Sequence, residues 1–191
     1  MAQEASKGRP DGWAWSVGCG LFTLLLAAAA LFLPAVDWAP QGGLVGWLLF
    51  LAGSAELVFG SRRSADLPRR TALVAGMLTA FAGLVFVANP FAGYFPVANV
   101  VMAWLLLRGA FVLATALKSE RSRVGTWLAV SGGADLLLGA VLVVGFPVAS
   151  LVVALFGPTQ EVVARFSLIL AASFLVTGTC QLAIGFAHRG R

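Results

Sequence analysis

Charge is scarce in this chain. Only 11% of its 191 residues are Asp, Glu, Lys or Arg, against roughly 25% in an ordinary soluble domain, and 60% are hydrophobic. That balance excludes a soluble domain. Cysteine and histidine are rarer still: Cys19, Cys180 and His188 are all there is. Neither cysteine has a CxxC partner or a histidine cluster beside it, so a zinc site is not expected, and both read as small residues inside apolar helices. His188 reads as a solvated residue just outside the membrane. Paired-carboxylate motifs, metal-ligand clusters, a nucleophile with its base and a phosphate-loop glycine pattern are also missing. The chain is therefore read as non-enzymatic, with no cofactor. The net charge of +5 does not point to nucleic acid, because the basic residues lie in short segments between apolar runs with no aromatic-basic module to hold them.

What the chain does have is apolar runs of about 20 residues, the length of a helix crossing a bilayer. They lie at about 13–33, 44–60, 71–88, 97–117, 124–145 and 165–187. The expected architecture is all-α, a six-helix transmembrane domain over 13–187 between a cytoplasmic N-terminal tail at 1–12 and a cytoplasmic C-terminal tail at 188–191. A basic start followed by an apolar run resembles a secretory signal peptide. The first run is nonetheless assigned to the fold, because it shares its pattern with two internal segments.

Orientation follows from the basic residues, since Lys and Arg are retained on the cytoplasmic side during insertion. Lys7 and Arg9, then Arg62, Arg63, Arg69 and Arg70, then Lys118, Arg121 and Arg123, and finally Arg189 and Arg191 fall on one side. The two shorter opposite loops, AVDWAPQGG and NPFAGYFP, contain no basic residue. Both termini are placed in the cytoplasm, with Trp13, Trp38 and Trp127 near helix ends as an aromatic belt.

The stretch LVAGMLTAFAGLVFVANP at 73–90 supplies the repeating pattern. Gly76, Gly83 and Pro90 are spaced by seven; Gly20, Ala27 and Pro34 repeat the frame upstream, and Gly133, Ala140 and Pro147 downstream. The prolines are 56 and 57 residues apart, so the chain reads as three copies of a two-helix unit, all with the same orientation. Small residues spaced by seven allow close helix approach where lipid removes the hydrophobic drive, and helices one, three and five are expected to form the packed centre. The third copy departs from the frame. GSAELVFG at 53–60 recurs as GTCQLAIG at 178–185, 125 residues on, whereas Pro34 and Pro147 are 113 apart, so the last turn holds 12 more residues. They read as an interfacial or re-entrant segment on the outer face, or as a tilted extension of helix six.

Outgoing helices closed by proline, as in FVANP, with returning helices such as AWLLLRGAFVLATALKSE, resemble the HdeD-like acid-resistance membrane proteins over about 13–188. The resemblance implies a bacterial inner-membrane protein of six helices, associated with stress and survival at low pH. Leu33 and Phe146 stand where Asn89 precedes Pro90, so that asparagine is not carried over as a site.

Four polar side chains fall inside the apolar runs: Glu56, Arg108, Asp135 and Gln181. A charge in hydrocarbon costs ~2.5–3.5 kcal/mol even on insertion scales, so each needs a partner or a purpose. Arg108 and Asp135 flank the turn at 118–123 and come out level, roughly 19–22 Å along antiparallel helices at 1.5 Å per residue. They are expected to form a buried ion pair; the functional alternative is a proton-responsive or ion-binding group with Asp135 as the titrating carboxylate. Glu56 and Gln181 hold equivalent positions in copies one and three, and Glu56 is expected to reach towards Arg62 or Arg63. The expected role is a bundle acting through packing with lipid, a membrane-protein partner or a second copy of the chain; the alternative is a small transporter or channel for protons or a small solute.

Overall fold

Backbone amides in an apolar medium must find partners within their own segment, and the chain meets this with six helices. The computed structural model describes residues 12–36, 40–62, 66–89, 94–119, 122–156 and 160–189. They form α1 (Gly12–Phe32), α2 (Gln41–Ser61), α3 (Asp66–Ala88), α4 (Tyr94–Lys118), α5 (Arg123–Phe156) and α6 (Gln160–Arg189). All six are long and apolar enough to cross a membrane. Burial is inverted relative to a water-soluble fold. Thr23, Thr79, Asp135, Ser167 and Ser173 are fully enclosed, while Leu25, Phe32, Phe81, Leu117 and Val144 are each more than two-thirds exposed. An apolar exterior around an interior that encloses polar side chains beside its apolar core is the arrangement of a multi-pass membrane protein.

The helix ends follow from local chemistry. α1 closes in a 3-10 turn, Leu33–Ala35, that takes Pro34 early, where its missing N–H is harmless. α2 starts directly after Pro40, whose backbone is already extended. Ser122 caps α5 by accepting the Gly125 N–H on its hydroxyl at 3.0 Å, a standard role for serine at that position.

Helices pair antiparallel through glycine. A Cβ added to Gly53 would come within 2.2 Å of the Ala80 amide, and one on Gly83 within 2.3 Å of the Phe50 amide, so α2 and α3 touch backbone to backbone. Gly109 and Gly132 do the same for α4 and α5. Gly20 and Gly178 do it for α1 and α6. These three are the closest pairs, and lesser contacts between α1 and α2, α3 and α4, and α5 and α6 complete a ring. The expectation that helices one, three and five form the centre is therefore corrected. α1, α3 and α5 each pack against even-numbered neighbours and not against one another, and all six helices send polar side chains inward, Thr23, Thr79 and Asp135 from the odd ones and Glu56, Arg108 and Gln181 from the even ones.

The third copy of the small-residue frame is also corrected. A Cβ on Gly133 would meet nothing within 4 Å, and Ala140 is exposed. The seam is made by Gly132 and Gly139, which face Leu113 and Leu106 of α4. Gly20, Gly76 and Gly132 are spaced by 56 residues each, as are Thr23, Thr79 and Asp135. Anchoring on Pro147 shifted the frame by one residue, because that proline does not end its helix. α5 runs through it to Phe156. The residues that follow, VASLVVALF, are apolar and have no better way to pair their backbone groups than to continue the helix. The described part of the extra length is thus helix: α5 has 34 residues, about 51 Å, and α6 starts at Gln160, ahead of the expected 165, while 157–159 lie outside the described residues. Of the remaining frame positions, Gly20, Gly76 and Gly83 face neighbouring helices, Ala27 is buried in the apolar core, and Pro90 lies outside the described residues.

The interior has two halves. Away from the basic turns, Leu26, Ala30, Leu49, Phe86, Leu105 and Phe174 belong to one apolar cluster. The half towards the basic end holds the buried charged side chains together with a second, smaller apolar cluster of Ala75, Val112, Ala116, Leu128 and Ile184.

Candidate functional site

Arg108 is the centre of the polar half. It sits on α4 about 15 Å from Lys118 at the basic end and is 4% exposed. Its Nη2 donates to Glu56 Oε1 at 2.6 Å, and its Nη1 donates to Asp135 Oδ2 and to Thr177 Oγ1 at 3.3 Å. One guanidinium thus holds two carboxylates, using the fork that makes arginine suited to buried ion pairs. The expected Arg108–Asp135 pair is present but Glu56 shares it, in place of the expected reach of Glu56 towards Arg62 or Arg63. Glu56 is in fact 5% exposed and bound to Arg108. Arg62 instead lies over the ring of Trp15, 5.4 Å from its centroid, and Arg63 is outside the described residues.

α6 supplies the next layer. Ser173 donates its hydroxyl to Asp135 Oδ1 at 2.6 Å, and Gln181 Nε2 donates to Glu56 Oε1 at 3.2 Å. The Thr177 hydroxyl also meets that of Ser131 on α5 at 3.4 Å. Ser173, Thr177 and Gln181 recur every four residues on one helix face. That spacing is visible in the sequence, but it is a weak signal, because serine and threonine hydroxyls in apolar helices usually bond to their own backbone. Thr23 and Thr79 do so, donating to the Cys19 and Ala75 carbonyls at 2.9 and 2.8 Å. Asp135, at the corresponding position of α5, has no such option as a carboxylate and needs donors from other helices.

Trp104 marks the boundary between the halves. Arg108 lies over its ring, 6.0 Å from the centroid, and the indole N–H donates to Thr79 Oγ1 at 3.0 Å. On the apolar side the ring meets Phe174 edge-on at 6.4 Å.

A cavity of about 30 Å³ adjoins the cluster, lined in part by Glu56, Arg108, Ser131, Thr177 and Gln181. It also touches Thr71 and Trp127, which follow closely after Arg70 and Arg123, so it extends towards the basic end and away from the apolar cluster. Three buried atoms of the cluster have no hydrogen-bond partner: Glu56 Oε2, Gln181 Oε1 and Arg108 Nε. Among the described residues there is no group of three or more His, Cys, Asp or Glu side chains able to hold a metal.

Residues 74–144, from within α3 to within α5, match the family described as a short repeat of unknown function, DUF308. HdeD-like proteins fall within that family. No curated protein and no solved structure matches the chain. What the match adds is that the segment carrying Arg108 and Asp135 is similar to a short-repeat family whose function its description leaves open.

Proposed function

We propose that this chain is a non-enzymatic bacterial inner-membrane protein with a role in stress or acid resistance, acting by packing against lipid, a membrane-protein partner or copies of itself. Both termini lie in the cytoplasm in this reading, and the molecule is a parallel array of three two-helix repeats. The observation that carries it is the closed interior. Asp135 is fully buried with both carboxylate oxygens taken, and beyond Trp104 the bundle is filled by an apolar cluster. Small residues in helix seams give rigidity rather than a pathway. The stress association rests on the likeness to HdeD-like sequences, since the description of the DUF308 repeat leaves its function open.

The test joins physiology to flux. Loss of the protein should lower survival after acid challenge, while the purified protein in liposomes should leave the proton leak at the level of empty vesicles. Proton flux above that level would replace this reading with the second one, a small transporter or channel for protons or a small solute. The cavity beside Glu56 is the feature that favours this second reading.

A further inference from the structure

Arg108 carries one positive charge and faces two carboxylates, Glu56 and Asp135. Gln181, Ser131, Thr177 and Ser173 complete the surroundings without adding charge. The rest of the adjoining cavity's lining is uncharged: Cys180 and Ile184 on α6, Thr71, Ala72 and Ala75 on α3, and Val112, Trp127 and Leu128 on α4 and α5. With both carboxylates ionised, the centre carries one net negative charge. Asp135 has both oxygens engaged, so the unmatched charge rests on Glu56, whose Oε2 has no partner. Beside it the carbonyl oxygen of Gln181, 7% exposed, is likewise unpartnered. Two buried acceptors without donors, on residues lining one cavity, are an arrangement a folded protein ordinarily avoids.

We propose that this cavity binds one small monovalent cation, of the class of sodium, using oxygens of Glu56 and Gln181 with the hydroxyls of Ser131 and Thr177. One positive charge brings the centre to neutrality, the condition under which charges are tolerated in an apolar interior. A hard cation suits this all-oxygen donor set. A divalent ion would leave an excess positive charge beside Arg108, and magnesium would also demand near-octahedral coordination. The volume, about 30 Å³, accommodates an ion with a water of its shell, since one water needs roughly 10–15 Å³ on the same measure. Such a water would accept from Arg108 Nε, the third unpartnered atom. The site does not depend on the physiological role proposed above.

The experiment measures melting temperature of the purified protein in detergent at pH 8, with NaCl exchanged for choline chloride at constant ionic strength. A saturable upward shift with sodium is expected, because a ligand that binds only the folded state stabilises it. Radioactive sodium should bind at one ion per chain. Glu56→Gln should abolish both signals, and Gln181→Leu should move the sodium midpoint to higher concentration. If Glu56→Gln fails to fold, Ser131→Ala serves as the second variant, with the same shift in midpoint. Identical melting in sodium and choline would overturn the site, leaving water as the occupant. A melting temperature that responds to pH through Glu56 but not to sodium would overturn it too, assigning the missing positive charge to a proton.

Discussion

Arg108 is the residue on which the interior charge balance turns. Had it been paired with Asp135 alone, Asp135→Asn would strand a buried cation. With Glu56 as a second partner at 2.6 Å, that substitution leaves a matched pair behind and should cost about 1.5–3 kcal/mol, the worth of a hydrogen bond to a charged group. Arg108→Met is the severe change. It leaves Glu56 and Asp135 buried without their cation and should cost ~3–5 kcal/mol or more. Thermal or denaturant unfolding in detergent should rank Arg108→Met well below Asp135→Asn, and removing all three charges should recover much of the loss. The reverse ranking would mean that Glu56 does not share the guanidinium. Helix rise alone put Arg108 and Asp135 level, because a short turn joins their helices. Glu56 could not be placed this way: α2 and α4 are not consecutive, and how one is rotated towards the other is set by tertiary packing.

At the level of the element, the glycine seams decide how closely the helices approach. Their heptad spacing was legible, but the third copy was anchored on Pro147. On an α-helix an error of one residue is a rotation of about 100°, enough to carry the seam from Gly132 to Gly133. Proline reads as a helix end, but in an apolar run with no polar turn after it the helix continues. The adjacent glycines make a controlled comparison. Gly132→Ala puts a methyl 2.6 Å from the Leu113 amide and must push α4 and α5 apart, at a cost of roughly 1–3 kcal/mol. Gly133→Ala meets nothing within 4 Å and should stabilise by about 0.5–1 kcal/mol, since alanine is the better helix former. Melting temperatures of the two variants should therefore move in opposite directions. Equal shifts would place the seam elsewhere.

At the scale of the whole molecule, the pairs that pack are not the pairs the repeat suggested. Pro34, Pro90 and Pro147 divide the chain into α1 with α2, α3 with α4 and α5 with α6. The tight seams instead join α2 to α3, α4 to α5 and α6 to α1. The first two seams follow basic turns in the chain, whereas the third closes the ring without a connecting segment. Gly185 of α6 packs against Trp13 and Val17 of α1, so the end of α6 and the start of α1 lie together. A circular permutant should exploit this: residues 189 and 12 joined by a flexible Gly/Ser linker, with new termini opened at 63–65. The α6–α1 seam then becomes a linked hairpin and the α2–α3 seam the unlinked closure, with the new linker and the new termini both at the basic end. The permutant should insert, purify as a monodisperse species and melt within a few degrees of the parent. A permutant that inserts but melts far below it would show that the α2–α3 turn, and not the ring of seams, holds the bundle closed.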